Sequence, residues 1–357
     1  MLCALIMAGG KGERFWPLST DEKPKQFLRL LGNESMIQMT VRRISSLIPM
    51  ERIFVVTGKR YVNLLKSQLP RLPERNIIVE PVGKNTAPCI ALSAFVINKY
   101  YKDSSMVVLP SDHLIADESS FINAVNAAYN FVEDRKSAVV TIGMKPSRPE
   151  TGYGYIKCSD SVKILDGFEV KKVEKFVEKP DEKTANRYVE DGHYLWNGGM
   201  FIWRTDTILG LMKKYQNNTY SVLKEVAVTS RESYEEELEK KYKLVDDISV
   251  DYGIMEKAVD IYVIPADFGW DDVGSWQSVE RYMEKDDKNN VCVGDIVNIK
   301  SANNIVISSG KPVVVVGLKN IFVVESGDVI LVGTKESIKD IKNIKKMVTG
   351  RDKKNSL

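Results

Sequence analysis

Leu2–Met7 (LCALIM) runs directly into Ala8–Phe27 (AGGKGERFWPLSTDEKPKQF), and the join between the two decides the fold. Six consecutive apolar residues followed by glycines read as a strand buried on both faces that ends in a tight loop. The run lacks a basic leader and stops after Ala8, so a first strand is expected rather than a signal peptide. Gly9, Gly10 and Gly12 let the backbone approach a ligand closely and turn its N–H groups toward an anion, with Ala8 at the strand end. A dinucleotide-binding loop would place a third glycine where Phe15 stands, and Trp16–Pro17–Leu18 interrupts the helix that should follow. A P-loop needs Gly-Lys followed by Ser or Thr, and no Gly-Lys pair here is so followed. Three cations, Lys11, Arg14 and Lys25, share the segment, a charge suited to a triphosphate.

Working outward, β-branched runs at Ile53–Thr57, Ile77–Val79, Met106–Leu109 and Ala138–Gly143 alternate with amphipathic stretches at Met36–Leu47, Tyr61–Gln68, Ala87–Tyr101 and Phe121–Glu133. This spacing predicts an α/β fold with a mostly parallel sheet covered on both faces. Ligands then bind beyond the carboxyl ends of the strands, where the Gly9–Gly12 loop and Pro110–Asp112 fall. From Thr151 to Asp272 the texture turns to aromatic, hairpin-like pieces (TGYGYI, LWNGGMFIWR) and charged helical stretches such as Ser230–Lys243, read as the second half of the same domain. After Asp286 come five short strands in VCVGDIVNIK, NNIVISS, KPVVVVG, KNIFVVES and DVILVG, which predict a small barrel or an irregular β-helix. A basic amphipathic stretch, Lys335–Met347, follows. The expected domains are 1–285, catalytic, and 286–357, a small β-helix-like appendage with a C-terminal helix.

At 357 residues, two domains are the prior. A 43% apolar and 28% charged composition is that of a globular chain, and a net charge of +3 is too slight to argue for a nucleic-acid or membrane surface. No window is apolar enough to span a bilayer. Cys3, Cys89, Cys158 and Cys292 are scattered without a Cys-x-x-Cys pair, which fits reduced thiols in the cytoplasm.

The string GGKGERFWPLS followed by KPKQF resembles the signature of the sugar nucleotidyltransferases, specifically the mannose-1-phosphate guanylyltransferase (GDP-mannose pyrophosphorylase) family. The similarity continues through Glu80–Pro88 (EPVGKNTAP), Leu109–His113 (LPSDH), Thr151–Ile156 (TGYGYI), Phe176–Pro180 (FVEKP), Asn197–Phe201 (NGGMF), Ser249–Lys257 (SVDYGIMEK) and Phe268–Trp276 (FGWDDVGSW). The resemblance implies a Rossmann-like mixed sheet and transfer of GMP from GTP to mannose 1-phosphate, giving GDP-mannose and pyrophosphate. Two anions meet in that reaction, so catalysis rests on charge neutralisation and alignment and needs no protein nucleophile. The chain indeed offers no Ser/His/Asp or Cys/His constellation.

The same resemblance implies roles by position. Asp112 and Asp272 match the family's ligands for Mg²⁺ or another divalent cation, with Asp271 as the fallback for Asp272. Arg14 faces the departing pyrophosphate and Lys25 the α-phosphate. Ala8, Gly9, Gly10, Lys11, Gly12, Glu80, Pro81, Asn85, Thr86, Ala87 and Ser111 hold the nucleotide. Gly152, Tyr153, Glu178, Lys179, Asn197 and Gly198 hold the sugar phosphate, Gly152 by permitting close approach and Asn197 by offering both a donor and an acceptor to hydroxyls. His113, beside Asp112, is read as structural.

Some relatives carry a further isomerase domain of the cupin type, with a His/Glu metal cluster. Here no histidine follows His193 and only residues 286–357 follow the transferase part, so a monofunctional transferase is expected. The alternatives are a transferase of other base or sugar preference and a non-catalytic GDP-mannose-binding regulatory subunit. The latter should have lost Arg14, Lys25 or a metal aspartate, and all are present. A homodimer is expected through the Val313–Val316 and Ile321–Val324 faces of the appendage, which offer more apolar surface than so small a unit buries alone.

Overall fold

The computed structural model describes residues 1–10 and 12–355, so the Lys11 expectation lies outside the described residues. By its contacts the chain groups into two units, Met1–Gly9 with Thr40–Trp270, and Gly10–Met39 with Asp271–Leu357. This grouping differs from the 1–285/286–357 division, because the opening loop and Asp271–Met283 join the C-terminal strands.

Along the chain as far as residue 271 run β1 (Leu2–Ala8), α1 (Met36–Ile44), β2 (Ile53–Gly58), α2 (Val62–Gln68), β3 (Ile77–Glu80), α3 (Thr86–Tyr100), β4 (Ser105–Pro110), β5 (Leu114–Ile115), α4 (Glu118–Asp134), β6 (Val139–Met144), β7 (Tyr155–Leu165), β8 (Phe168–Val177), α5 (Glu182–Asp191), β9 (Tyr194–Arg204), α6 (Thr205–Tyr215), α7 (Asn217–Ala227), α8 (Tyr234–Lys241), β10 (Ile261–Ala266) and β11 (Trp270–Asp271). Among the described residues nine strands form one sheet in the order β3-β2-β1-β4-β9-β6-β10-β8-β7. Only β8 and β9 run against the rest, so the sheet is mixed and mostly parallel, as expected.

The chain leaves β1 for β2 on one side and reaches β4 on the other, which makes the carboxyl end of β1 a topological switch point. Register puts Ala8 opposite Thr57, Gly58 opposite Glu80, and Met7 opposite Pro110. Gly9, Glu80 and Ser111–Asp112 therefore emerge along one edge of the sheet. β1 is buried on both faces because Cys3 and Leu5 join a core with Ile90, Ala94 and Ile97 of α3, while Ala4 and Ile6 are equally covered. Each fully buried Ile or Leu there stabilises by roughly 1.5–3 kcal/mol. That burial fixes the strand from which the first loop springs.

In the second unit, α9 (Trp276–Tyr282) is followed by β12 (Val291–Val293), β13 (Ile296–Ile299), β14 (Ile305–Ser308), β15 (Val313–Val316), β16 (Ile321–Ser326), β17 (Val329–Thr334) and α10 (Ile341–Asn355). β12, β14 and β16 stack in parallel, β13 pairs in parallel with β15, and β17 closes antiparallel on β16. The coil is β-helix-like rather than a closed barrel. VCVGDIVNIK is two strands and not one, because Gly294 at φ +100 turns a corner so tight that a Cβ would lie 2.3 Å from the Ser308 carbonyl oxygen. Buried Asn290 and Asn304 stitch the coils: Asn290 Oδ1 accepts from the Asn304 N–H, and Asn304 Nδ2 donates to the Leu318 carbonyl while its Oδ1 accepts from the Ile321 N–H. Phe322, Val323 and Val324 are buried within the unit, so they offer no face for a dimer. Val314 and Val316 of β15 and Val297 and Ile299 of β13 are exposed.

Candidate active site

Three groups gather at the carboxyl edge of the first unit. A Cβ on Gly9 would lie 3.6 Å from Oε2 of Glu80, so the first loop and the end of β3 approach closely. Glu80 is 7% exposed, and the buried Tyr242 phenol donates to its Oε1 at 2.5 Å. Burial pushes the Glu80 carboxyl up to about 6, against the opposing pull of that hydrogen bond. Burial and the neighbouring carboxylate also push the Tyr242 phenol well up. The pair is one carboxylate oxygen fixed by a phenol and one turned toward the glycine loop.

The base-loop residues serve the fold as well. Asn85 caps α3 from φ 68, its Oδ1 accepting from the Thr86 N–H at 3.0 Å. Thr86 Oγ1 accepts from the Val250 N–H at 2.8 Å, and the Ala87 N–H donates to the Ile248 carbonyl at 3.1 Å. Pro81 leads into the loop half-buried. Ser111, buried, is held by its N–H to the Met7 carbonyl and by its own carbonyl, which accepts from Thr40 Oγ1. The half-buried Asp112 follows it off β4. His113 Nδ1 accepts from Trp270 Nε1 at 3.1 Å, so the histidine is a structural partner, as expected.

The sugar candidates converge on Gly154 rather than Gly152. A Cβ on Gly154 would fall 3.2 Å from Glu178 Oε1 and 3.6 Å from the Asn197 Cβ, and the Gly154 carbonyl accepts from the Asn197 N–H at 2.8 Å. Gly152 is exposed, and its N–H donates to Glu150. Tyr153 is 8% exposed, its ring wedged against Trp196 and Trp270 at 5.3 and 5.0 Å, so it forms a wall rather than an open contact. Gly198 is packed against Met200. Lys179 stands exposed at φ 31 with its ammonium 3.9 Å from Glu178. The Glu178 carboxyl is raised by burial first and by Asp251 and Glu256, with Lys179 pulling the other way.

Asn197 is held at both ends of its amide. Its Nδ2 donates to Asp251 Oδ1 at 2.8 Å and its Oδ1 accepts from the Gly199 N–H at 3.0 Å, so one hydrogen and one lone pair are already engaged. Asp251 was not singled out from the sequence: it lies inside the SVDYGIMEK string, and nothing in residue type or spacing separates it from its neighbours. It opens a π-helical turn, Asp251–Met255, a geometry often found at functional sites.

In the second unit the opening loop is folded onto the Asp272–Gly274 turn. Lys25 is 5% exposed, its Nζ donating to the Asp272 carbonyl at 2.5 Å and lying 5.8 Å over the Phe15 ring. Arg14, exposed, donates from Nη1 to the Gly274 carbonyl at 3.3 Å. Gln26 Nε2 donates to the Gly10 carbonyl at 3.0 Å and pins the loop base. Gly12 at φ 59 passes so close that a Cβ would sit 2.3 Å from the Lys25 Cβ. Asp272 Oδ1 accepts from the Gly274 N–H at 2.9 Å. Asp271, 1% exposed, is instead engaged by Arg281 at 2.6 Å, Tyr282 and the Val273 N–H. Among the described residues no group of three or more His, Cys, Asp or Glu side chains is placed to hold a metal ion.

A nucleotidyl transferase family model matches residues 3–289, and a model of the mannose-phosphate isomerase/GMP-like β-helix domain matches 294–348. The chain belongs to the nucleotidyl transferase family. The alginate biosynthesis protein AlgA of Pseudomonas aeruginosa is 37% identical over 96% of this chain and 71% of its own length. The mannose-1-phosphate guanylyltransferase of Escherichia coli K12 is 38% identical over 96% of this chain and 72% of its own. Among solved structures, a Thermus thermophilus protein described as a mannose-1-phosphate geranyltransferase superposes with a TM-score of 0.85 at 30% identity, covering 98% of this chain and 99% of that one. The fold expectation, a nucleotidyltransferase sheet with a β-helix-like appendage, is met by both family models. No helix among the described residues is long and apolar enough to cross a membrane.

Proposed function

We propose that the protein transfers GMP from GTP to α-D-mannose 1-phosphate, releasing GDP-mannose and pyrophosphate. One observation carries the reading: within one unit the two loop cations, Arg14 and Lys25, are both anchored on the turn that bears Asp272. A sugar-phosphate oxygen attacks the α-phosphorus of GTP; the new P–O bond forms as the bond to the β-phosphate oxygen breaks, and the electron pair leaves with pyrophosphate. No proton has to move, so a site of cations and backbone amides suffices.

In this reading Arg14 and Lys25 hold phosphate oxygens, and Glu80 with the Asn85–Ala87 cap receives the base. Gly9, Gly10, Gly12 and Ser111 line the phosphates. Glu178, Lys179 and Asn197 hold the sugar phosphate, with Gly154 supplying the close approach. Asp112 and Asp272 are each proposed as ligands of a divalent cation. The donor set fits Mg²⁺, which takes one or two carboxylates and fills the rest with phosphate and water oxygens. Bound there, the cation would neutralise phosphate charge and polarise the α-phosphoryl group. Asp271 is passed over because Arg281 already claims its buried carboxylate.

The reaction is placed in the cytoplasm, in keeping with four free cysteines, three of them buried. A homodimer is proposed through the exposed Val314 and Val316; sedimentation velocity of V314E/V316E should show the smaller species, and an unchanged dimer would move the interface elsewhere. For the reaction, pyrophosphate release is measured with four nucleoside triphosphates against mannose and glucose 1-phosphates in Mg²⁺. GTP with mannose 1-phosphate should be the preferred pair. A clear preference for UTP or dTTP would defeat the guanylyl assignment.

A further inference from the structure

We infer that Asp251 is a positioning residue for the sugar phosphate: it holds the Asn197 amide in one orientation so that the remaining Nδ2 hydrogen is presented to a substrate hydroxyl or phosphate oxygen. The inference rests on the reading of Asn197 as a sugar-phosphate ligand. An asparagine amide has two donors and two lone pairs, and either face can be presented unless something fixes it. Here both ends are fixed. Asp251 can only accept while ionised and therefore demands Nδ2, while the Gly199 N–H can only donate and therefore demands Oδ1. Together they exclude the flipped amide. Among the described residues the second Nδ2 hydrogen has no acceptor, and Asn197 is half-buried beside Gly154 and Glu178, the point on which the sugar candidates converge.

The backbone bearing Asp251 is itself held. The Val250 N–H donates to Thr86 Oγ1 and the Ile248 carbonyl accepts from the Ala87 N–H, so the segment is tied to the base loop immediately before the carboxylate. The π-helical turn that begins at Asp251 closes with the Glu256 N–H on the Asp251 carbonyl at 3.0 Å. Lys179 faces the same carboxylate as a charge partner, as does the like-charged Glu178. A carboxylate set on a segment fixed at both ends, and aimed at one amide, is suited to positioning.

Three variants test this by steady-state kinetics and thermal melting of the full chain. D251A leaves the amide held by the Gly199 N–H alone, so Nδ2 is no longer aimed and KM for mannose 1-phosphate should rise about tenfold while KM for GTP stays within about twofold. D251N can still accept from Nδ2 through its own Oδ1 and should recover most of that loss. The exchange N197D/D251N keeps the pair and the Gly199 bond, since the carboxylate introduced at position 197 accepts from both, but removes the presented donor. It should melt like the wild type and yet keep the raised KM. Recovery of KM by the exchange would show that only the pair matters structurally and would overturn the inference, as would D251N being as impaired as D251A. Equal changes in both KM values after D251A would overturn it too. N197A separates the two levels: if it leaves the mannose 1-phosphate KM unchanged, the sugar-site reading itself fails; if it raises KM while D251A does not, only the role of Asp251 fails.

Discussion

Replacing Glu80 by glutamine should stabilise the protein, and only above the acid range. The carboxyl ionises near its ordinary 4.5 in the unfolded chain and at about 6 in the fold, because burial at the end of β3 disfavours the charge. Between those values the folded state binds more protons than the unfolded one, so stability falls as pH rises through the window from 4.5 to 6 and stays low above it. The difference of about 1.5 units corresponds to about 2 kcal/mol. Glutamine has no charge to desolvate and still offers an oxygen to the Tyr242 phenol. Urea unfolding of wild type and E80Q at intervals from about pH 4 to about pH 8 reads this directly. The two should coincide near pH 4 and diverge to about 2 kcal/mol in favour of E80Q by about pH 7. A gap that does not change with pH, or a less stable E80Q at the alkaline end, would refute the claim that the cost lies in the buried charge.

Other perturbations test the loop, the aspartates and the coil. G12A forces a methyl group into Lys25 at a φ that disfavours side chains, so kcat should fall about a hundredfold, since misplaced groups are costly in such a site; near-normal kcat with an intact fold would remove Lys25 placement from the argument. D272A should abolish pyrophosphate release without lowering the melting temperature much, whereas D271A should lower the melting temperature by removing the buried carboxylate that accepts from Arg281, Tyr282 and the Val273 N–H, and the reverse pattern would exchange their assignments. D112A should likewise abolish release in a folded protein, and retained activity would remove its proposed metal role. N304A leaves the Ile321 N–H without its acceptor and the Leu318 carbonyl with only the Ala302 N–H, and should cost about 1–3 kcal/mol by denaturant melts.

How much of this was legible depends on what each stretch must bury. The strands at 2–8, 53–58 and 105–110 lie within a residue or two of their apolar runs, because a strand covered on both faces has little choice of boundary. Of β7 the sequence signals only the opening TGYGYI piece and of β8 no strand at all, since strands rich in lysine and glutamate carry no continuous apolar signal. The split at Gly294 follows from a close contact with Ser308, which lies fourteen residues on and which local pattern does not report. At the site, residue types were legible and their engagements were not. The close approach of Gly154 to Glu178 and Asn197, the two bonds that hold the Asn197 amide, and the place of Asp251 all depend on contacts between distant positions, Asp251 lying 54 residues from its partner.

For the triphosphate role proposed for the opening loop, burying one of its cations, Lys25, has a physical advantage. A solvated lysine brings charge but must surrender up to about 2 kcal/mol of rotamer freedom each time it is ordered on a ligand. Clamped beneath the Asp272 carbonyl and beside Phe15, Lys25 has surrendered that freedom during folding, and its charge is in place beforehand. Arg14 is exposed and fixed by one longer bond to Gly274, which leaves its other guanidinium donors to adapt to a departing group. In the proposed reaction the loop would divide the work between a cation set by the fold and one able to follow the departing group. Since the contact that sets Lys25 also fastens the loop to the Asp272–Gly274 turn, losing its ammonium must disturb both the turn and the charge, and its kinetic cost should exceed that of losing Arg14.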